Sequence, residues 1–214
     1  GAFSAASNVS GILTDTDAVT RVLKSHGALA VWDYAGAGPY ISIDMGAGTD
    51  AQKDVVVVSP HKFIGGPGAS GLLIINKAAV SRATPSQPGG GTVRFVSPWG
   101  HDYLADVISR EEAGTPNVIG DIRAALAFMV KDAIGQDYID QRHAEHLARA
   151  RAAWADQPNI AILGNADAPR LPIFSLLIHQ GARYADPQVF TRALSDHYGI
   201  QARGGCACAG PYGH

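Results

Sequence analysis

Two apolar runs flank the loop whose residues are best suited to chemistry. Val55–Val58 leads directly into Ser59-Pro60-His61-Lys62, and a second apolar run, Leu72–Ile75, follows a glycine-rich stretch. A lysine amine that is removed from water loses proton affinity and becomes a nucleophile able to form a Schiff base with a carbonyl. Taken alone, a loop lysine is more often a solvated surface charge. Its neighbours, a serine hydroxyl, a rigid proline and a histidine, make Lys62 the first candidate for catalysis.

Glycines are concentrated in two places. Those from Gly65 to Gly71 are more than a hairpin needs, so we expect them to let the backbone pass close to another group. A second cluster, Gly89-Gly90-Gly91, offers successive backbone N–H groups that could bind an anion. A flexible linker has the same composition, and the sequence leaves both interpretations open.

A carboxylate is expected near the lysine. The apolar run Ala28–Trp32 predicts a short buried strand that ends at Asp33. In open parallel sheets the ligand crevice lies at the carboxyl ends of the strands, so Asp33 and Lys62 can face the same ligand. On its own, such an aspartate is more often a helix cap or part of a surface turn.

The two cysteines, Cys206 and Cys208, stand one residue apart in a glycine-rich segment, residues 204–210, which we call the cysteine loop. Disulfide geometry disfavours a bond between such near neighbours, and two thiols fall short of a tetrahedral zinc set. We therefore expect free thiols and no metal site. The nearby Arg203 favours a reactive thiolate, although two small fillers in a turn would explain the cysteines equally well.

The remaining pattern alternates strands and helices. Apolar runs without polar alternation, at Val55–Val58 and Gly71–Ile75, are typical of strands covered on both faces of a sheet. Capping and stop signals predict four helices and two later strands. The helices are one after Thr14 or Asp15 with Ala18, Val19, Val22 and Leu23 on one face, one from Thr115 and Pro116 to Gly135, one from Tyr138 to about Ala155, and one from Asp186 and Pro187 to Gly199; the strands are Leu171–His179 and Ile200–Arg203.

Composition narrows the classes of function. The chain has 214 residues, of which 46% are hydrophobic, and a net charge of −2, so it can form a substantial core. Without a lysine or arginine run or a long apolar stretch, we expect neither a nucleic-acid partner nor a membrane partner, and cytoplasmic localisation is the default. The chain opens at Gly1 rather than at methionine, and we expect it to be a fragment.

The order of these segments resembles the class V, fold-type I enzymes that use pyridoxal 5′-phosphate (PLP), and in particular their cysteine desulfurase and selenocysteine lyase branch. Ser59-Pro60-His61-Lys62 is similar to the segment of that family whose lysine binds the cofactor aldehyde. Asp33 stands where the family has the aspartate that pairs with the pyridinium nitrogen. Glu112–Asn117 looks like the segment that reaches a phosphate across the dimer interface, and Arg203–Cys208 looks like the sulfur-accepting loop.

The resemblance implies an α/β fold in two parts. Residues 1–135 would be the C-terminal part of a PLP-binding large domain, with a mostly parallel sheet and helices. Residues 136–214 would be a linking helix and an incomplete small α+β domain. The family's N-terminal half, with the aromatic group that stacks on the cofactor, would be missing, and we expect the chain alone to bind PLP weakly or not at all and to show no turnover.

The resemblance also implies roles for individual residues. Lys62 and Cys208 would be catalytic, and Cys206 competes with Cys208 for the role of sulfur acceptor. Arg203 would bind a small amino-acid substrate. The implied reaction is the removal of sulfur from L-cysteine through a cysteine persulfide. A homodimer is expected. One departure is that Gly36 stands where desulfurases commonly carry a glutamine, which leaves open a class V lyase or epimerase without a catalytic cysteine, and an inert fragment as a further alternative. The implied PLP contacts are Lys62, Asp33, Ser59, His61, Asn8 and Thr115.

Overall fold

The computed structural model describes residues 1–210, so the end of the predicted small domain lies outside the described part. The chain forms two compact units. The first consists of Gly1–Phe3 and Thr16–Ala133, and the second consists of Ser4–Asp15 together with the described chain from Ile134 onward. The division into a large and a small domain stays a prediction.

A four-stranded sheet organises the first unit. Its strands are β1 (Ala2–Ser4), β2 (Val31–Asp33), β3 (Val55–Val58) and β4 (Leu72–Ile75), in that spatial order. Strands β2 and β3 are parallel, whereas β4 runs antiparallel to β3 at the edge of the sheet. Together with the helices of the chain, this sheet confirms the predicted α/β fold.

The start of the parallel pair is fixed by Asp54. The backbone N–H of Ala30 donates to the Asp54 carboxylate at 2.7 Å, and Lys24 Nζ donates to the same oxygen at 2.6 Å. The backbone N–H of Asp54 donates to the Ala30 carbonyl at 3.0 Å. Burial raises the pKa of Asp54, but the hydrogen bonds from Lys24 and Ala30 outweigh burial and hold the pKa below its usual value. These bonds set the register in which Asp33 lies opposite Val57.

Helix α1 (Thr16–Ser25) contacts β2 through a polar residue. Thr20 is fully buried, and its hydroxyl accepts a hydrogen bond at 2.9 Å from the indole N–H of Trp32, which is also fully buried. The predicted inner face is partly wrong, because Ala18 and Val22 are exposed. A buried indole N–H needs an acceptor, and a threonine supplies one where an aliphatic residue cannot.

The prediction that both apolar strands are covered on both faces is wrong for β4. In β3, Val56 and Val58 are buried, whereas Leu73 and Ile74 of β4 are 62% and 38% exposed in the described chain. The physical reason is position, since β4 is an edge strand and β3 lies between two neighbours.

The rest of the first unit follows β4 along the chain. It contains a hairpin of β5 (Val93–Ser97) and β6 (Gly100–Tyr103), which the sequence analysis missed, then α2 (Val107–Glu111) and α3 (Val118–Ile134). The predicted cap of α3 at Thr115 and Pro116 is wrong. Asn117 Oδ1 accepts from the backbone N–H of Gly120 at 3.2 Å, so an asparagine immediately before the helix supplies the capping oxygen.

The second unit contains two long helices and a small sheet. Helix α4 spans Gln136–Trp154, and α5 spans Pro187–Tyr198. Asp186 caps α5 by accepting from the backbone N–H of Gln188 and Val189, and Gly199 ends it with φ of 64°, as the sequence predicted. Antiparallel strands β7 (Ile160–Ile162), β8 (Leu176–Gln180) and β9 (Arg183–Tyr184) form the sheet in that order.

Two predicted strands of the second unit differ from the structure. The strand predicted at Leu171–His179 begins only at Leu176, because the preceding backbone binds an N-terminal loop instead: the Leu171 N–H donates to the Gly11 carbonyl at 2.8 Å. The strand predicted at Ile200–Arg203 is wrong. The Ile200 N–H donates to the Leu194 carbonyl at 3.1 Å and so completes the end of α5.

None of the helices within residues 1–210 combines the length with the apolar character that a bilayer crossing requires.

Candidate functional site

Lys62 lies on a short, well-anchored turn. Pro60–Lys62 forms a 3₁₀ turn immediately after β3, closed by the Phe63 N–H donating to the Pro60 carbonyl at 3.0 Å. Pro60 and Phe63 are buried, and the Phe63 ring lies 4.8 Å from that of Phe128 on α3. The buried residues hold the turn on either side, which leaves His61 and Lys62 exposed.

The glycine-rich stretch makes the expected close approach, and it makes it to the lysine turn itself. A Cβ on Gly66 would lie 1.9 Å from the carbonyl oxygen of Pro60 and 3.1 Å from that of Phe63. Gly65 has φ of 77°, in the left-handed region, but has open space around it. Only glycine at position 66 allows the chain to fold back over the turn that carries Lys62.

Asp33 lies near this turn, at the edge of the sheet that is formed by the carboxyl ends of the parallel strands β2 and β3. This edge is distinct from the edge strand β4. Asp33 is the last residue of β2 and pairs with Val57 of the parallel strand β3, two residues before Ser59. Its Oδ1 accepts from the backbone N–H of Ala35 at 2.7 Å. The strand ends therefore bring Asp33 and the segment Ser59–Lys62 together at one edge, as the sequence predicted for two parallel strands.

Several polar groups at this edge have no partner inside the described chain. Within residues 1–210, the Lys62 amine, the His61 ring and the Ser59 hydroxyl make no hydrogen bond and no ion pair, and Asp33 Oδ2 accepts none. A Cβ on Gly36 would meet nothing within 4 Å. This edge thus carries an amine, an imidazole, a hydroxyl and a carboxylate oxygen that can all bind a ligand.

Thr115 belongs to the same unit but to a different segment. It is exposed between α2 and α3, and its hydroxyl makes no hydrogen bond to any other residue that the structure describes. The neighbouring Gly114 N–H donates to the Gly90 carbonyl at 2.8 Å. The Gly89–Gly91 cluster is therefore part of an ordered turn that holds the threonine segment.

The other predicted site residues belong to the second unit. Both cysteines are free thiols, as predicted, and both are exposed. Arg203 Nη2 donates to Cys208 Sγ at 3.1 Å, and Asn8 Nδ2 donates to the carbonyl of Ala207 at 2.7 Å. The structure thus brings Asn8, Arg203 and Cys208 together around the cysteine loop.

Sequence reasoning missed the arginine that fixes the Asn8 segment. Arg170 is 7% exposed, and its Nη2 donates to backbone carbonyls, among them that of Ser10. Burial lowers the pKa of Arg170, and the charge of Arg151 lowers it further. No local signal marks this role, because arginine is ordinarily a surface residue and the Ser10 carbonyl that it binds is 160 positions away in the sequence.

The chain matches a protein family and several known proteins over nearly its whole length. The model of the family named aminotransferase class-V matches residues 2–214. A cysteine desulfurase from Pectobacterium atrosepticum is 29% identical over 205 residues, which cover 96% of this chain and 48% of that protein. A cysteine desulfurase from Salmonella newport matches equally, with 29% identity and the same coverage. The chain spans about half the length of the curated relatives it matches.

Solved structures share the fold. An apo cysteine desulfurase from Thermococcus onnurineus superposes with a TM-score of 0.79 at 24% identity, over 98% of this chain and 50% of that one. An alanine–glyoxylate aminotransferase from Nostoc superposes with a TM-score of 0.68 at 17% identity, over 96% of this chain and 52% of that one. With a family model that matches nearly every residue, the chain belongs to the aminotransferase class-V family.

Proposed function

We propose that this protein is a PLP-dependent enzyme that removes sulfur from L-cysteine. The observation that carries the proposal is the edge of the sheet where Lys62, without a partner in the described chain, stands on the turn after β3 beside Asp33 at the end of β2. Membership of the class V family and relatives named cysteine desulfurase support it.

The residues at this edge suit PLP chemically. A primary amine can bind the cofactor aldehyde, and a carboxylate can hold a proton on the pyridine nitrogen. The Ser59 hydroxyl and the His61 imidazole can donate to a phosphate, and a phosphate contact from Thr115 reaching a partner subunit would require a homodimer. Asn8 remains a further proposed contact of the cofactor. We infer that residues 1–135 contribute to the cofactor domain and residues 136–214 to the small domain.

Each residue would have a distinct task in the reaction. PLP, when bound, supplies an electron sink for the carbanion that forms at the substrate α-carbon. Lys62 would remove the α-proton and return it, and Asp33 would keep the pyridine nitrogen protonated. Arg203 was predicted to bind the amino-acid substrate, and that role stays a proposal.

Cys208 would take the sulfur. Its thiolate would attack the substrate sulfur, so that a new S–S bond replaces the C–S bond and the electron pair of the broken bond passes to the substrate carbon. A proton then completes alanine, and Cys208 carries a persulfide. The hydrogen bond from Arg203 to Cys208 Sγ, at 3.1 Å, favours this cysteine over Cys206 as the nucleophile.

Gly36 supports a second candidate, a class V lyase or epimerase without a catalytic cysteine. The open space at Gly36 lies where the desulfurase branch commonly has a glutamine. Separate Cys208→Ala and Cys206→Ala variants distinguish the candidates when alanine and sulfide release from L-cysteine are followed. Loss of both products in Cys208→Ala alone supports desulfuration through Cys208, whereas turnover that survives both variants supports the second candidate.

The cofactor assignment is tested by trapping. The full-length protein is mixed with PLP, reduced with borohydride and mapped by mass spectrometry, while visible absorbance is recorded before reduction. We expect label at Lys62 and loss of the absorbance band in Lys62→Ala. Lys77→Ala is the matched control, since Lys77 is also exposed and also lies on a 3₁₀ turn. A band that persists in Lys62→Ala, or label spread evenly over Lys62 and Lys77, would refute the assignment.

A further inference from the structure

We propose that Asn8 and Arg203 are positioning residues that hold the cysteine loop so that Cys208, and not Cys206, presents the reactive thiol. The identification of that thiol as a sulfur acceptor rests on the proposed function. The positioning itself is an arrangement of hydrogen bonds within the second unit and does not depend on a cofactor.

Arg203 binds the loop at two points. Its Nε donates to the carbonyl of Cys206 at 3.0 Å, and its Nη2 donates to Cys208 Sγ at 3.1 Å. The planar guanidinium fixes these two donors relative to each other, so the carbonyl and the sulfur are fixed as well. Cys206 Sγ accepts no hydrogen bond from any residue in the described chain. The two thiols are therefore not equivalent, because Cys208 Sγ accepts a hydrogen bond from a cationic group whereas Cys206 Sγ accepts none within residues 1–210.

Asn8 binds the loop between these two points. Its Nδ2 donates to the carbonyl of Ala207 at 2.7 Å, although the two residues are 199 positions apart in the sequence. Cys208 itself has φ of 58° and is the one residue other than glycine with a positive φ among residues 1–210. A residue other than glycine keeps that backbone conformation where surrounding contacts determine it. Around Cys208 these contacts come from Asn8 and Arg203, while Gln188 Nε2 holds the start of the loop by donating to the Gly204 carbonyl at 3.1 Å.

The segment that carries Asn8 is itself rigidly held. Ser7 Oγ accepts from the backbone N–H groups of Val9 and Ser10, at 3.2 Å and 3.1 Å. Ser175 Oγ donates to the Val9 carbonyl at 2.7 Å, and the buried Arg170 donates to the Ser10 carbonyl.

Within this segment Val9 and Ser10 are buried while Asn8 is exposed, so the anchored backbone presents the Asn8 amide to the cysteine loop. Gly11, with φ of 72°, completes the segment, and a Cβ there would lie 2.7 Å from the Leu171 carbonyl oxygen.

The test measures alkylation of each cysteine by iodoacetamide at pH 7 in the full-length protein without PLP. Tandem mass spectrometry separates the two sites, and circular dichroism confirms that each variant is folded. The variants are Asn8→Ala, Arg203→Ala and Arg203→Lys. The matched control is Asn165→Ala, which removes another exposed asparagine of the second unit. Within residues 1–210 its side chain binds only its own turn, through the Asp167 N–H.

We expect Arg203→Ala to lower the ratio of Cys208 to Cys206 labelling about threefold, because the Cys208 sulfur and the Cys206 carbonyl both lose the hydrogen bonds that hold them. Arg203→Lys keeps a cation but loses the planar pair of N–H donors, so we expect a labelling ratio between those of the unchanged protein and Arg203→Ala. In Asn8→Ala the ratio of Cys208 to Cys206 labelling should fall towards one.

Because both thiols are already exposed, a merely structural role would change both rates by the same factor and leave the ratio of Cys208 to Cys206 labelling unchanged. If the rates and the ratio in Asn8→Ala and Arg203→Ala equal those of Asn165→Ala, the positioning proposal is wrong. Because no turnover is measured, a failure of the proposed function would be seen separately, as alanine and sulfide release that survives Cys208→Ala.

Discussion

Replacing Gly66 by alanine should loosen the turn that carries Lys62. The added methyl would lie 1.9 Å from the Pro60 carbonyl oxygen, whereas real Cβ atoms stay at least 3.0 Å from such a neighbour. The carbonyl must therefore move, and the same carbonyl accepts the hydrogen bond from the Phe63 N–H that closes the turn.

The expected cost follows from these two effects. Overpacking against a fixed backbone costs about 1–3 kcal/mol, and the lost hydrogen bond adds about 1 kcal/mol, so Gly66→Ala should lower the free energy of unfolding by about 2–4 kcal/mol. Two other glycines are matched controls. Gly65→Ala has room for the methyl but a φ of 77°, and should cost about 1–2 kcal/mol. Gly36→Ala, with open space and no left-handed φ, should be neutral or stabilising by about 0.4–1 kcal/mol.

Urea unfolding of the three variants provides the free energies, and PLP trapping provides the yield at Lys62. We expect the free energy of unfolding and the trapping yield at Lys62 to fall most in Gly66→Ala and less in Gly65→Ala. Neither quantity should fall in Gly36→Ala. If Gly66→Ala costs no more than Gly36→Ala, the close approach to Pro60 is not what holds the lysine turn, and the reasoning from the contact distance fails.

Three further predictions concern the elements that position the sites. The hydrogen bond from Lys53 holds the pKa of Asp17 below the ordinary 3.8, and the pKa of Asp54 is also lowered. The folded chain therefore binds fewer protons than the unfolded one, so urea midpoints should fall as the pH drops below about 5, and less steeply in Asp54→Asn; an unchanged slope would contradict this. Thr20→Val leaves the buried Trp32 N–H without its acceptor and should lower the free energy of urea unfolding by about 1–3 kcal/mol. Trp32→Phe should then cost less in the Thr20→Val variant than in the unchanged protein. Asp186→Ala removes the cap of α5 and should cost about 1 kcal/mol, whereas a cost near zero would show that the cap is dispensable.

Features with strong local signals could be predicted from the sequence. Val55–Val58 is a run of β-branched residues and forms β3 with those bounds. Helix α5 has an aspartate cap, a proline at its first position and a terminal glycine, and it begins and ends where these residues predict. Each of these signals acts within a few residues, so the chain elsewhere has little power to override it.

Which face of a helix is covered could not be predicted, as α3 shows. Its large apolar residues, among them Ile119, Ile122 and Met129, are 62%, 51% and 65% exposed in the described chain. The buried positions are Gly120, Ala124 and Ala127. Helical spacing identifies residues that share a face, but it does not say which face meets the rest of the unit, and small residues allow a closer approach than large ones.

The cluster around Lys62 could be predicted from the sequence, whereas the contact between Asn8 and the cysteine loop could not. Asp33 and the Ser59–Lys62 segment could be placed together because the carboxyl ends of parallel strands meet at one edge, so a general rule replaced knowledge of the contacts. The contact from Asn8 to Ala207 follows from no such rule, because it depends on how Arg170 and Ser175 hold a loop near the other end of the chain.

The position of Lys62 also changes the physical argument for its chemistry. Burial was the reason to expect a reactive amine, yet Lys62 is exposed in the described chain. Exposure alone does not distinguish it from Lys77, which lies on a similar turn. What distinguishes Lys62 is the setting, since Asp33, Ser59 and His61 offer a carboxylate, a hydroxyl and an imidazole at the same edge. If PLP binds as proposed, its selectivity for Lys62 would come from contacts to the rest of the cofactor, which would hold its aldehyde near this amine.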